Sequence, residues 1–254
     1  MSQNRPFKRT VRQFTEGNYS PQGWPSYIQH PKFAIEPRQY IRSFYVIQKD
    51  LIDLFDYIEP HEANLETFSF RIHELFIRAS IEVEANFKAI LRENEYSKKC
   101  NLTMLDYQKV NTSHFLSEYA VKMPDWRGGE RTFSPFHEWG TGTKLTWYAA
   151  YNKAKHDRHN EFSRANLGNL LLSITALIVL LRAQFFDGVF SSEATLFASF
   201  GPSDGFTRTF GDSFTIKAPE NLPALERYSF DWETIKSEDD PFVNFPYEPP
   251  SKQP

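Results

Sequence analysis

The chain has 254 residues, of which 40% are hydrophobic and 16% aromatic, with 24 phenylalanines. That is core material for one large domain or for a domain with appendages. The formal net charge of −3 excludes a surface coated in positive charge for nucleic acid, so any such contact needs a local patch.

Cys100 is the only cysteine, which excludes a disulfide framework and a cysteine zinc site within one chain. It follows Lys98 and Lys99 but has no general base tied to it, so a bystander thiol is expected. The first residues carry no apolar run of the signal-peptide kind, and a cytoplasmic protein is the expectation.

Residues 1–37 are rich in Arg, Pro, Gln and aromatics and have no clear period. Arg5, Lys8, Arg9 and Arg12 make a basic arm that could touch nucleic acid. The favoured reading is an extended strap whose Phe14, Trp24, Tyr27 and Phe33 dock on the body.

A helical bundle is expected over 38–190. Pro37, followed by Tyr40, Ile41, Phe44, Ile47, Leu51, Leu54 and Phe55 at spacings of three and four, predicts a helix from Arg38 to Ile58. A longer helix is predicted from Asn64 to Glu93, roughly 45 Å at 1.5 Å per residue. Leu65, Phe68, Ile72, Leu75, Ala79, Val83 and Ile90 form its core face. Asn86 interrupts that face, Glu82 lies on its edge, and Arg78 sits one turn before Glu82. A buried amide or carboxylate needs a partner. Glu82 or Asn86 is therefore expected to face Lys155, His156 and Arg158, unless Glu82 is simply solvated beside Arg78.

Residues 94–101 read as a connection, and a third helix is predicted from Thr103 to Lys122. Residues 124–142 read as a long loop whose Trp126, Phe133, Phe136 and Trp139 suggest a packed lid. Gly140-Thr-Gly-Thr-Lys144 is not a phosphate loop, since no glycine immediately precedes the lysine and no strand is evident before the loop. His137-Glu138 lacks the histidine three residues after the glutamate that a zincin needs.

The stretch from Trp147 to His159 gathers the ionisable side chains. On one helix, Tyr148, Asn152, Lys155, His156 and His159 fall within roughly 100° of arc. Asn152–His156 and Lys155–His159 are then neighbours one turn apart. Lys144, Lys153, Lys155 and Arg158 against Asp157 make the local basic patch. Two readings stand: a functional site, or a polar cluster that caps carbonyls at a helix C-terminus. His156 and His159 lack a well-placed third metal ligand. No metal or cofactor is called for.

Ser163 is expected to cap a helix from Arg164 to Phe186. Leu170 to Leu181 is apolar almost all round, which means a central buried helix or a membrane span. The pure run is about a dozen residues, short of the ~20 that a bilayer needs. Asn166, Asn169 and Arg182 bracket it, so burial is expected. Over 191–254, Phe214 and Ile216 alternate, as do Tyr228, Phe230 and Trp232, predicting a small hairpin docked on the helices and an extended tail.

Trp147-Tyr-x-x-Tyr-Asn-x-x-Lys-His-Asp-Arg158, followed by an Asn- and Leu-rich apolar helix, resembles HEPN-like helical domains. The long helix carrying Glu82 is similar to the one that packs beside that motif, and the likeness spans about 40–190. It implies an antiparallel helical bundle that commonly dimerises. Active members are metal-independent ribonucleases of toxin–antitoxin, phage-defence and RNA-processing systems. Their motif is an arginine, usually followed by a polar residue, with a histidine four to six residues on. His156 corresponds to the histidine, and Asn152 to the polar residue. No arginine lies in the preceding turn and a half, leaving Lys155 or Arg158 to supply the charge.

The resemblance thus implies a non-catalytic or weakly catalytic binding protein, partnered by RNA, a protein or its own twin. The alternative it implies is an endoribonuclease acting at a dimer cleft through His156, Asn152 and Lys155. Arg158, His159, Tyr148, Glu82 and Asn86 would then hold substrate.

Overall fold

A computed structural model describes residues 3–15, 26–97, 101–186, 206–209, 211 and 213–247. Trp24, Lys98, Lys99 and Cys100 lie outside the described residues. The fold is mainly helical with a small antiparallel sheet.

The long apolar helix, α8 (Leu167–Phe185), occupies the interior. It packs along α2 (Phe70–Glu93), and α1 (Pro37–Phe55) and α6 (Thr146–His156) each touch both of them. Covered by helices on several sides, α8 needs no polar face. Its internal hydroxyls, Ser173 and Thr175, return hydrogen bonds to their own helix at Leu170 and Leu171, 2.8 Å each. It is the one helix among the described residues long and apolar enough to cross a membrane, and 78% of its apolar window is buried within the fold.

Several element boundaries differ from expectation, each for a local reason. The second helix begins at Phe70 rather than Asn64, with Ser69 Oγ accepting from the Ile72 amide at 3.2 Å. The residues before it are taken up elsewhere. Leu65 and Thr67 carbonyls accept from the first amides of α8, at Gly168 (2.8 Å) and Leu167 (2.9 Å). That contact satisfies donors a helix start leaves free. A methyl group on Gly168 would lie 3.4 Å from the Leu65 oxygen. The cap of α8 is Asn166, accepting from Asn169, whereas Ser163 sits in the 3-10 turn Phe162–Arg164.

The single helix expected from Thr103 to Lys122 is replaced by α3 (Met104–Gln108), α4 (Val110–His114), a 3-10 turn and β1 (Ala120–Met123). Phe115 enters left-handed backbone (φ 53°), and Asn111 Oδ1 accepts from the Ser117 amide at 2.8 Å. A short side chain competing for backbone groups ends helices in this way. β1 pairs with β2 (Arg131–Phe133) and with β4 (Thr215–Lys217), which also pairs with β3 (Thr207–Arg208). The aromatic loop therefore contains a strand and α5 (His137–Gly140). Its four rings are buried in the core rather than forming a lid.

In the tail, the predicted partner strand of the hairpin does not form. Tyr228 bridges Gln3 and Phe14 instead, and Trp232–Ile235 is a helical turn, α9. The strap reading of residues 1–37 holds for Phe14, Tyr27 and Phe33. Phe14 and Tyr27 meet Tyr228 and Phe230 edge-on, and Phe33 lies against Tyr27. Arg9 and Arg12 are buried, so neither is a free basic contact. Strap, helices and tail share one hydrophobic cluster.

His114 is sealed inside that cluster. Its Nε2 donates to the Arg9 carbonyl at 2.8 Å, so Nδ1 accepts from Ser113 Oγ at 2.7 Å, and Ser113 in turn meets the Tyr247 hydroxyl at 2.5 Å. Burial, with Arg12 and Arg9 nearby, pulls the imidazole pKa down to about 4, against the bond to the Arg9 carbonyl. The folded state thus holds the ring neutral where the unfolded chain would charge it at about pH 6.5. The stability this adds is complete above about pH 6.5 and drains away as pH falls toward 4, on the order of 3 kcal/mol in all. Urea unfolding across that window should show the wild type losing about that much more than His114→Gln. Parallel pH slopes for the two proteins would contradict the assignment.

Candidate functional site at the end of α6

The Thr146 amide at the start of α6 donates to the Glu138 carboxylate at 3.1–3.2 Å. Its inner face is Trp147, Tyr148, Tyr151 and Ala154, all buried. Trp147 Nε1 donates to the Pro135 carbonyl at 2.9 Å. The helix stops at His156 because Asp157 leaves helical geometry (φ −136°, ψ 60°) and caps the next turn, α7 (Arg158–Glu161), by accepting from Asn160. The expectation of one helix through His159 is corrected here, because the break removes His159 from the α6 stripe.

The singled-out residues separate into three groups. Tyr148, Asn152 and Lys155 remain on α6. The Tyr148 hydroxyl donates to Glu84 Oε1 at 2.8 Å, and Lys155 Nζ donates to the Tyr151 hydroxyl at 3.0 Å. That bond raises the Lys155 pKa, whereas burial raises those of Tyr148 and Tyr151. Asn152 is half-buried, and no hydrogen bond ties its side chain to another described residue.

His156, Arg158 and His159 form the second group, exposed at the α6–α7 turn with no ion pair to a described residue. Lys153 and Arg164 are close by, but both are paired with Glu161.

Glu82 and Asn86 form the third group and do not face the α6–α7 turn. Asn86 is fully buried, donating to the Glu82 carbonyl at 2.8 Å and accepting from Gln184 at 2.9 Å. Glu82 turns toward α1, where it lines a depression with Ser43 and burial raises its pKa. Arg78, its expected neighbour in charge, pairs with Asp50 on α1. The carboxylate that does reach α6 is Glu84, held by Tyr148 and by Lys88 at 3.2 Å. In the sequence, Glu84 and Lys88 look like an ordinary solvated pair one turn apart.

The turn carries a feature that sequence periodicity did not mark. Phe68, assigned to the core face of α2, is 49% exposed just before that helix, and Phe70 in its first turn is 63% exposed. Both rings lie against Phe162, at 5.7 Å and 4.9 Å between centroids, and His73 lies against the same ring at 5.6 Å. The Arg158 guanidinium lies 5.8 Å from the centre of the Phe70 ring. The result is an outward aromatic cluster edged by the Arg158 guanidinium and the half-buried His73 imidazole. Among the described residues, no three His, Cys, Asp or Glu side chains are grouped to hold a metal ion.

Compared with family models, with curated proteins and with solved structures, the chain matches none of them.

Tyr148 connects α6 to α2 through a single bond to a charged acceptor, so Tyr148→Phe should cost about 1–3 kcal/mol in chemical denaturation. An unchanged midpoint would show that the Glu84 contact contributes nothing to stability.

Proposed function

We propose that this chain is a HEPN-like, non-catalytic binding protein that takes single-stranded RNA on the surface where α7 meets the start of α2. The supporting observation is the outward cluster of Phe68, Phe70 and Phe162 with Arg158 against it. Exposed aromatic rings stack unpaired bases, at about 1–3 kcal/mol per base. A guanidinium beside them both stacks and meets phosphate. His156 and His159 add hydrogen-bonding edges. A local patch of this kind also suits a chain whose net charge is −3. The placement of the Asn-x-x-Lys-His motif at the end of a helix packed on an apolar α8 agrees with the resemblance. A bacterial toxin–antitoxin or phage-defence setting, a cytoplasmic location and a homodimer rest on the resemblance alone.

Catalysis would need more than this surface shows. A metal-independent ribonuclease positions a base, an acid and cations around the reacting phosphate. Neither Asn152 nor any other described residue is hydrogen-bonded to His156 to orient it.

Fluorescence anisotropy with a short labelled single-stranded RNA tests the binding. Phe70→Ala and Arg158→Ala should each weaken it by roughly tenfold, with duplex RNA of the same sequence binding less well. Wild-type protein that leaves the anisotropy flat at low salt would end this reading.

One observation keeps the ribonuclease alternative: the His156 ring is exposed at the end of α6, where a substrate could reach it. On that alternative, wild-type protein cleaves RNA in EDTA and His156→Ala does not, with unchanged folding. Intact RNA after prolonged incubation with wild type refutes it.

A further inference from the structure

The exposed stripe of α1 divides its charge by position. Arg38 and Arg42 lie at its start, and Asp53 and Asp56 at its end, with Val46 and Lys49 between. At 100° per residue these six fall within roughly 80° of one another. None of the four terminal charges makes an ion pair with another described residue.

The order of the signs is unusual for this molecule. Helix dipoles favour acids at the start and bases at the end. α6 and α8 end in bases, at Lys153, Lys155 and His156 and at Arg182, and α2 ends in Arg92 followed by Glu93. α1 has no acid in its first turn and no base in its last, and carries the opposite signs. The arrangement is unfavourable for a lone helix and becomes favourable if another element supplies the complement.

A second copy of the same helix supplies it. Laid antiparallel across a two-fold axis, the register that sets Arg42 against the second copy's Asp53 also sets Val46 against its Lys49 and brings Arg38 to within one residue, about 1.5 Å along the axis, of its Asp56. The depressions alongside α1 have the same polarity. One, of about 530 Å³, has Arg38, Arg42 and Arg78 against Glu82 in its lining; the other, of about 920 Å³, has Asp50, Asp53, Asp56 and Glu74 against Arg71 and Arg78, so bases outnumber acids in the first and acids outnumber bases in the second. Apolar surface is available beside both, in Val46 (50% exposed) and Tyr57 (86% exposed).

We infer that α1 is the face through which two copies of this chain associate, antiparallel and isologous, with its charge division setting the register. This deepens the homodimer named above but stands on charge and geometry, not on the RNA-binding surface.

Sedimentation equilibrium with the full chain tests it. Wild type should sediment at twice the 29.7 kDa chain mass at micromolar concentration and dissociate as salt rises. Arg38→Asp/Arg42→Asp and Asp53→Arg/Asp56→Arg should each raise the dimer dissociation constant roughly 100-fold or more, because like charges then meet. Mixing these two variants should restore a dimer, as should the four substitutions combined in one chain. Far-UV circular dichroism and urea midpoints near wild type would show that the variants fold.

A monomeric wild type, or a dimer indifferent to these reversals, overturns the inference. So does a mixture of the two variants that stays monomeric. None of these outcomes touches the RNA-binding reading, which stands or falls on Phe70→Ala and Arg158→Ala.

Discussion

The guanidinium of Arg9 is the constraint around which the fold is tied. It is fully buried, paired with Glu93 at 2.6 Å, and donates to Gln184 and to the Ile35 carbonyl at 3.0 Å each. The rings of Tyr40 and Phe185 lie over it at 4.7 and 5.5 Å. A charge withdrawn from water is tolerated only when paired and hydrogen-bonded, and removal of one partner strands the other. One side chain from the N-terminal strap thereby holds the entry to α1 and the ends of α2 and α8 in a single arrangement. Gln184 passes the connection inward to Asn86, and the Arg9 carbonyl passes it to His114 and on to Ser113 and Tyr247. Arg12 repeats the device nearby, bonded to Glu226 at 2.7 Å and to the Ser113 carbonyl. The two chain ends are thus interlocked with the helices through polar groups as well as through aromatic packing.

That interior fixes what reaches the surface. α8 has no polar face to turn outward, so α1, α2 and α6 must cover it and their free sides become the available surfaces. α6 is held by Trp147, Tyr148 and Tyr151 and stops where Asp157 pulls the chain into a new turn. The exposed groups from His156 to His159 therefore sit on a short connection whose two ends are anchored. Phe162 closes that connection against Phe68 and Phe70, and the contacts of Leu65 and Thr67 with the first amides of α8 hold the other side.

How much of this was legible in the sequence depends on the kind of signal. The helical periods of α1 and α2 and the apolar run of α8 are strong because burial forces them, and the aromatic strap was visible in composition. Helix breaks were hidden. Asn111 and Asp157 end helices through side-chain bonds to backbone, which leave the apolar spacing untouched. Tyr228, Phe230 and Trp232 alternate as a strand would, but alternation marks a face and not a partner. Tyr228 found its partner at the N-terminus. The site suffered from angle: Glu82 and Glu84 are two residues apart but roughly 200° around the helix. One points to α1 and the other to α6, and the sequence alone gave no zero for that rotation. The exposure of Phe70 was illegible for a related reason, since it depends on where Ser69 starts the helix.

That same 200° separates the two surfaces of interest. α1 lies on the Glu82 side of α2 and α6 on the Glu84 side, so a dimer built through α1 would leave both α6–α7 turns outside its interface. The two copies would not bring His156 together in one cleft, which a paired active site requires. They would instead carry two separate aromatic surfaces on one particle. One RNA strand long enough to reach both would bind the second at an effective concentration set by the span, adding affinity without any new contact. On the proposed reading, the charge division on α1 serves the same end, because its register holds the two aromatic surfaces apart on one particle.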